Sequence, residues 1–159
     1  MAVRGDRTDA GLDEVLTWNL VRVARFAGQR LAARLAGHGL HPVHFGVLAH
    51  LVVAPGREMT QADIARAVLQ RPRSIAPLLD GLEERGLIRR TGDRARGRRN
   101  PVQITDDGRR ALDAVWDIAL STNDLGDAGL TAQESAELNR LLLELVRATR
   151  GREDTAGER

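Results

Sequence analysis

The chain contains no cysteine, no tyrosine and no lysine among its 159 residues. The absence of cysteine excludes disulfides, thiolate metal sites and cysteine nucleophiles. Apolar residues never run uninterrupted for the ~18 positions that a transmembrane helix needs, and the polar N-terminus leads into no apolar signal segment. We therefore expect a single domain over residues 1–159, a soluble cytoplasmic protein of bacterial origin with no membrane partner.

Aromatic residues are also scarce, at 3% of the chain. All of them lie outside the most basic segment, at Trp18, Phe26, Phe45 and Trp116. Proteins that bind RNA or single-stranded DNA usually stack bases on aromatic rings. If the partner is a nucleic acid, the expected form is therefore duplex DNA.

Charge is unevenly distributed, although 24 arginines and 22 acidic residues leave a net charge of only +2. Residues 71–110 contain 11 arginines and 6 acids, whereas the remainder contains 13 and 16. Residues 85–99 alone contain seven arginines and one acid, Asp93. A basic stripe on a mildly acidic protein predicts a polyanionic partner. The alternative is a solvated loop, and arginine-only usage is equally expected of a GC-rich genome.

Most of the chain has helical periodicity. Apolar residues from Leu12 to Leu35 recur at helical spacing and predict one long helix that ends near Gly37 and Gly39. Pro42 suits the first position of a second helix. The body of that helix is apolar nearly all round, so we expect it to be buried.

Two further helices are predicted before residue 86. Residues 60–63 resemble a capping box and start a short helix, and the next helix ends at Gly86. Pro77 lies within that second helix, where an interior proline costs ~3 kcal/mol. We therefore predict that the helix begins near Ser74 or is kinked at Ala76–Pro77.

The pattern then changes to short alternating segments. Residues 87–91 and 102–105 predict a β-hairpin, with the polar tract 92–100 as its tip. Thr105 is placed to cap a fifth helix, and residues 131–134 form a capping box for a sixth. Three short helices followed by a two-stranded hairpin describe a winged helix-turn-helix.

The predicted fold is therefore mainly α with a small β-hairpin wing. A winged helix-turn-helix lobe occupies residues 42–105, and a helical dimerisation region occupies 9–37 and 106–150. The apolar stripes of these flanking helices need more cover than one small lobe offers. Because two-fold homodimers are the commonest oligomers, we expect a second copy of the chain to supply it.

Three segments resemble the MarR family of bacterial transcription regulators: residues 59–65, 78–90 and 102–108. They match the family's first short helix, its "leu-x-x-leu-glu-x-x-gly-leu-ile" recognition helix and turn, and its "val-x-leu-thr-x-x-gly" exit from an arginine-rich wing. The resemblance implies a homodimeric repressor that binds duplex DNA and is released by a small molecule. Arg96 departs from the pattern, since it stands where the family usually has an aspartate.

The resemblance also implies three groups of DNA contacts. A recognition helix reads base edges with its N-terminal residues, which assigns that role to Arg71, Arg73, Ser74 and Ala76. The preceding helix opens at Thr60 and Gln61, and its N-terminus suits a phosphate. The wing would contact the flanking minor groove or backbone through Arg94, Arg96, Arg98 and Arg99. A two-fold dimer predicts a palindromic operator with half-sites about one helical turn apart.

A small-molecule pocket is expected between the dimerisation helices and the DNA-binding lobe. Relatives in this family often bind phenolic or other aromatic anions there, so the expected effector is small and aromatic or anionic. The candidate lining residues are Trp18, Arg22, His44 and Trp116. Arg22 would meet the anion, and core packing of the two tryptophans is the alternative.

Other functions are less well supported by the residues. The histidine cluster His38–His50 leaves a metal-sensing regulator as an alternative, but no carboxylate lies between Glu14 and Glu58, so we predict no metal site and no cofactor. The chain has no Walker loop, no dinucleotide fingerprint and no HExxH spacing, so we expect no enzyme. A winged-helix protein-interaction adaptor that binds no DNA is the alternative from another class.

Overall fold

The computed structural model describes residues 9–91, 101–122 and 125–156. In this part of the chain the helices are α1 (Asp9–Asp13), α2 (Leu16–Ala36), α3 (Pro42–Val53), α4 (Gln61–Ala67), α5 (Pro72–Glu84), α6 (Asp106–Ser121) and α7 (Ala132–Ala156). The strands are β1 (Glu58–Met59), β2 (Ile88–Arg90) and β3 (Val102–Ile104). None of these helices has the length and apolar character needed to cross a membrane.

Threonines cap three of the helices, as the sequence predicts. The hydroxyls of Thr60, Thr105 and Thr131 each accept a hydrogen bond from the backbone N–H of the third residue of α4, α6 and α7, at 3.1, 3.0 and 3.2 Å. At α7 the box is reciprocal, because the Glu134 carboxylate accepts the backbone N–H of Thr131 at 2.8 Å. These bonds satisfy N–H groups that a helix start leaves unpaired.

The predicted first helix is divided into two, so the prediction of one continuous helix was wrong. α1 ends at Asp13, Val15 is extended, and α2 begins at Leu16. Across the break, Nδ2 of Asn19 donates to the backbone carbonyl of Asp13 at 2.7 Å. A side-chain amide thus satisfies a carbonyl that a continuous helix would have paired with a backbone N–H. At the other end of the chain, α7 continues to Ala156, past the predicted limit of 150.

The start of α5 also differs from the prediction. It is a single helix from Pro72 to Glu84 with Pro77 inside it, so the predicted start near Ser74 is wrong and the predicted kink at Ala76–Pro77 does not divide it. Pro72 occupies the first helical position, where its fixed φ fits the helix and no N–H is needed. Pro77 leaves the carbonyl of Arg73 without a helical donor, but both residues are exposed to water.

The wing is built on three strands rather than the predicted two. The antiparallel order is β1-β3-β2, with Ile88 opposite Ile104 and Glu58 opposite Gln103. β1 has two residues, which is too short to produce an alternating pattern in the sequence. It joins the wing to the start of α4, because Met59 directly precedes the capping Thr60.

The core lies between α3, α5, the sheet and the first half of α6. α2 packs against α3 and α6, and α4 packs against α3 and α5. The largest fully buried side chains are Leu35, Val47, Leu48, Leu51, Ile64, Ile75, Leu79, Leu82, Ile88, Val102 and Val115. The α4–α5 pair is therefore held on a continuous apolar base, which fixes the helix-turn-helix with its outer surface toward solvent.

Candidate nucleic-acid interface

The start of α4 combines a helix cap with an ion pair. The Thr60 hydroxyl donates to Oδ2 of Asp63 at 2.6 Å, and the Arg66 guanidinium contacts the same carboxylate. The hydroxyl bond from Thr60, together with Arg66, outweighs burial and lowers the pKa of Asp63. A phosphate at this helix start would therefore meet an ionised carboxylate, and the Thr60 hydroxyl is already bonded. Gln61 lies beside it at the first helical position, partly buried.

A tight turn joins α4 to α5. The backbone N–H of Gln70 donates to the carbonyl of Ala65 at 2.8 Å, and that of Leu69 donates to the carbonyl of Arg66 at 3.2 Å. These are the two bonds of a Schellman motif. The left-handed position is occupied by Leu69 (φ 52°), where glycine is usual. The turn sets the direction in which α5 leaves α4.

The N-terminal end of α5 presents the predicted base-reading residues together. Arg71 is the N-cap residue, and Arg73 and Ser74 lie in the first turn, all three exposed. Ala76 follows on the same helix and is partly buried. Within the described residues, neither Arg71 nor Arg73 has a side-chain hydrogen bond or ion pair. Their guanidinium groups are therefore available to an external acceptor.

The outer face of the wing carries a row of polar side chains. Arg89 donates through Nε and Nη2 to Oε1 of Gln103 at 3.2 and 2.9 Å. Gln103 in turn donates through Nε2 to Oε2 of Glu58 at 2.9 Å, so the row crosses all three strands. The four predicted wing contacts lie outside the described residues: Arg94, Arg96, Arg98 and Arg99.

Arg90 has a different environment from its neighbour Arg89. Its backbone N–H donates to Oε1 of Glu83 at 3.0 Å, its Nη1 contacts the same carboxylate, and its Nη2 donates to Oδ1 of Asp80 at 2.6 Å. Burial alone would lower the pKa of Arg90, but its bonds to Asp80 and Glu83 outweigh burial and raise that pKa. This arginine is counted in the basic stripe, yet two carboxylates compensate it.

The sequence contains a signal for this cluster that the charge count missed. Ile88 and Arg90 share one face of β2, because side chains alternate along a strand, and Ile88 is buried. Arg90 must therefore turn inward, where a charge needs a partner. Asp80 and Glu83 lie one helical turn apart on α5 and supply it. These two acids of α5 therefore make a specific contact with β2.

The four candidate pocket residues lie on three helices that pack against one another. Trp18 and Arg22 are one turn apart on α2, and Nη1 of Arg22 lies 3.3 Å from Oδ1 of Asp13. The Trp116 ring on α6 is 5.7 Å, centroid to centroid, from that of Phe45, the residue after His44 on α3. An open groove of about 540 Å³ along the first turns of α7 contains none of the four residues.

The rings of His44 and His50 lie within hydrogen-bonding distance of nearby backbone groups. Nδ1 of His44 accepts the backbone N–H of His41 at 3.2 Å, and Nδ1 of His50 lies 2.7 Å from the carbonyl of Gly46. Burial, then the charges of Arg85 and His41, lower the pKa of His44, which favours the neutral ring that this bond requires. In the described ranges, no three histidine or carboxylate side chains are grouped as metal ligands would be.

Comparisons with known proteins identify the same architecture. A model described as the MarR family matches residues 38–99. The chain is 32% identical over 103 residues to the transcriptional regulator HosA of Escherichia coli, covering 65% of this chain and 72% of HosA.

Solved structures give the same result over most of the chain. The complex of the Mycobacterium tuberculosis MarR family protein Rv2887 with salicylic acid is 28% identical, with a TM-score of 0.65 over 82% of this chain and 95% of that one. The S. aureus MepR–DNA complex shares the fold at 20% identity, with a TM-score of 0.69 over 84% and 98%. The helix-turn-helix, the wing and these matches agree: the chain belongs to the MarR family of transcriptional regulators.

Proposed function

We propose that the chain is a sequence-specific repressor that binds duplex DNA as a homodimer on a palindromic operator. The observation that carries this proposal is the start of α5, where the exposed guanidinium groups of Arg71 and Arg73 have no partner among the described residues. Arginine at this position of a helix-turn-helix bonds guanine in the major groove. Rv2887 is named a transcriptional repressor, and MepR was crystallised with DNA.

In this proposal, residues 42–105 form the DNA-binding lobe, and residues 9–37 and 106–150 form the dimer. Large exposed apolar side chains on α2, α6 and α7 support the division, since they have no cover within the described part of one chain. A two-fold axis places the two α5 helices about one DNA turn apart, roughly 34 Å.

The individual contacts follow from this placement. Arg71, Arg73 and Ser74 bond base edges, and Ala76 offers a methyl group to thymine. Thr60 and Gln61 approach a phosphate, mainly through Gln61 and backbone N–H groups because the Thr60 hydroxyl is bonded to Asp63. The wing extends the contact into the flanking DNA through Arg94, Arg96, Arg98 and Arg99.

A small aromatic anion is the proposed effector. Its site would be lined by Trp18, Arg22, His44 and Trp116, where α2, α3 and α6 pack together. The salicylic acid bound to Rv2887 supports this class of ligand. The effector acts by binding one spacing of the two α5 helices more tightly than the other, since equal affinity for both would shift nothing.

The test is a salt-series titration on duplex DNA from upstream of the chain's own gene, with scrambled duplex as competitor. If each subunit neutralises about four phosphates, log affinity falls against log salt with a slope near ~−7. Arg73→Ala lowers the preference for specific over scrambled DNA by about 5-fold or more, since a bidentate guanine contact contributes about 1–3 kcal/mol. Salicylate added to the preformed complex releases the DNA.

Arg147→Ala is the matched control, because it removes the same charge from an exposed position on α7, outside the lobe. It leaves the preference unchanged. Equal affinity for upstream and scrambled duplex at every salt concentration would contradict sequence-specific regulation and favour an interaction adaptor. Release by divalent metal rather than by salicylate would favour the metal-sensing alternative.

A further inference from the structure

Two secondary structure elements meet at Arg90. Asp80 and Glu83 lie three residues apart on α5, so their side chains share one face of the helix. Arg90 is the last residue of β2, and its side chain is only 11% exposed between the two carboxylates. The Arg90 backbone N–H also donates to Glu83. One helix face therefore holds both the side chain and the main chain of the strand.

This arginine is poorly suited to contact DNA itself. Its guanidinium already bonds two carboxylates, those of Asp80 and Glu83. A phosphate would have to displace one of these carboxylates to reach it. The adjacent Arg89 is the opposite case, because it is exposed and its hydrogen-bond partner among the described residues, Gln103, is neutral.

The contact of Arg90 with α5 lies at the end of β2, where it can set the position of the hairpin relative to that helix. β2 and β3 remain paired up to Arg90 and Val102, and the backbone N–H of Thr91 donates to the carbonyl of Pro101 at 3.0 Å. The strand pair is thus still hydrogen-bonded at the point where Arg90 attaches it to α5. The same helix presents Arg71 and Arg73 at its other end.

We propose that Arg90, Asp80 and Glu83 form a clamp that fixes the angle between α5 and the β2–β3 hairpin, so that both contact DNA at one spacing. This inference rests on the proposed DNA-binding function. The clamp residues are positioning residues, since they act through the elements they join. A partly buried ion pair of this kind contributes geometric specificity more than stability.

The decisive variant is Asp80→Asn/Glu83→Gln, which removes two negative charges and with them both ion pairs of Arg90. Electrostatics alone predicts tighter DNA binding by this variant. The clamp predicts the reverse, a specific binding that is about ten-fold weaker, or ~1.4 kcal/mol. It also predicts that the DNA loses its protection from hydroxyl radicals beside each half-site and keeps it within the half-site. Asn and Gln each keep an oxygen that can accept from Arg90, and removing acids near the C-terminal end of α5 does not weaken the helix dipole interaction, so the variant is expected to fold.

Arg89→Gln is the matched control, because it removes a neighbouring arginine that the clamp does not use. It makes the salt slope shallower by at most about one per subunit and keeps the protection pattern. Thermal unfolding of each variant identifies a purely structural role, which would lower Tm and reduce protection everywhere.

Two results overturn the clamp: full flanking protection in the double variant, or uniform loss of protection together with a lowered Tm. Failure of the underlying function is a separate result, since the wild-type protein would then protect no specific sequence. The wild-type footprint therefore decides between the two failures before any variant is measured.

Discussion

The winged lobe and the helices that flank it bury their apolar side chains to very different extents. Among the described residues, twelve of the sixteen buried apolar residues lie within 42–105, whereas only two of the fifteen large exposed ones do. The core of the lobe is therefore built mostly from its own residues, with Leu35, Leu112 and Val115 added by α2 and α6. The flanking helices present apolar faces to solvent, so we expect a partner surface to cover them.

The polar contacts of the wing also differ from those of α7. In the lobe, polar side chains connect different elements, as Arg90 connects β2 to α5 and Gln103 connects three strands. On α7, Arg140 bonds Glu137 and Glu144 of its own helix. Contacts within a helix stabilise that helix by a few tenths of a kcal/mol but do not orient it. Orientation of α7 has to come from its apolar face.

The largest expected effect is on that apolar face. Leu145→Glu places a charge at a position that is 50% exposed in one chain and covered in the proposed dimer. An unpaired charge in an interface costs about 3–5 kcal/mol, so the dimer dissociation constant rises by ~100-fold or more. Analytical ultracentrifugation measures the change, and operator affinity falls with it.

Leu69→Glu is the control for the dimer prediction. Leu69 is also an exposed leucine, at 59%, but it lies in the α4–α5 turn. The same new charge there leaves the sedimentation coefficient unchanged. If both variants were dimeric at micromolar concentration, the uncovered face of α7 would not be the dimer interface.

The next effect is at the junction where α6 packs against the lobe. A Cβ added at Gly108 would lie 2.0 Å from the carbonyl oxygen of Leu87, so the start of α6 has to move away from β2. We expect Gly108→Ala to reduce the free energy of unfolding by roughly 3 kcal/mol or more, measured by urea denaturation.

Gly81→Ala provides the matched comparison on α5. An added Cβ meets nothing within 4 Å there, so alanine's better helix propensity raises the free energy of unfolding by about 0.5–1 kcal/mol. Equal effects of the two glycine substitutions would mean that the close approach at Gly108 is relieved at no cost.

Sequence reasoning predicted most of the fold because the signals are local. Capping threonines, Pro42 at a helix start and apolar periodicity are set by neighbouring residues, and the structure confirms them. It failed where competing local effects had to be weighed. Pro72 and Pro77 both favour a helix start, and the first of them determines it. β1 was missed because a strand of two residues is too short to show an alternating pattern.

The candidate site was predictable only as a set of residue types. Arginines at the start of α5 follow from the helix-turn-helix pattern, but whether a given arginine is free or paired depends on the tertiary structure. Arg89 and Arg90 are adjacent and identical in the sequence. Strand alternation separates them, and only the packing of β2 on α5 shows that Arg90 is compensated.

A smaller effect is expected at the turn between α4 and α5. Leu69 has φ 52°, the left-handed conformation that costs a residue with a side chain about 1 kcal/mol. Leu69→Gly removes this strain and an exposed apolar side chain, so we expect a small gain in the free energy of unfolding, reduced by glycine's greater freedom in the unfolded chain. Urea denaturation measures it, and a loss of stability would show that the Leu69 side chain makes a favourable contact.

The smallest expected effect is a pH dependence at the junction between the lobe and the flanking helices. Burial, Arg85 and His41 lower the folded-state pKa of His44 below its ordinary 6.5. Above pH 6.5 the ring is neutral in both states, so its contribution to stability is complete. As the pH falls below 6.5, the unfolded chain takes up the proton first, and stability is lost until the folded pKa is passed.

His44→Gln retains an acceptor that does not titrate, so urea denaturation between pH 7.5 and 5 should give a flatter profile for this variant than for the wild type. Identical pH profiles of the free energy of unfolding would show that neutral His44 does not stabilise the start of α3.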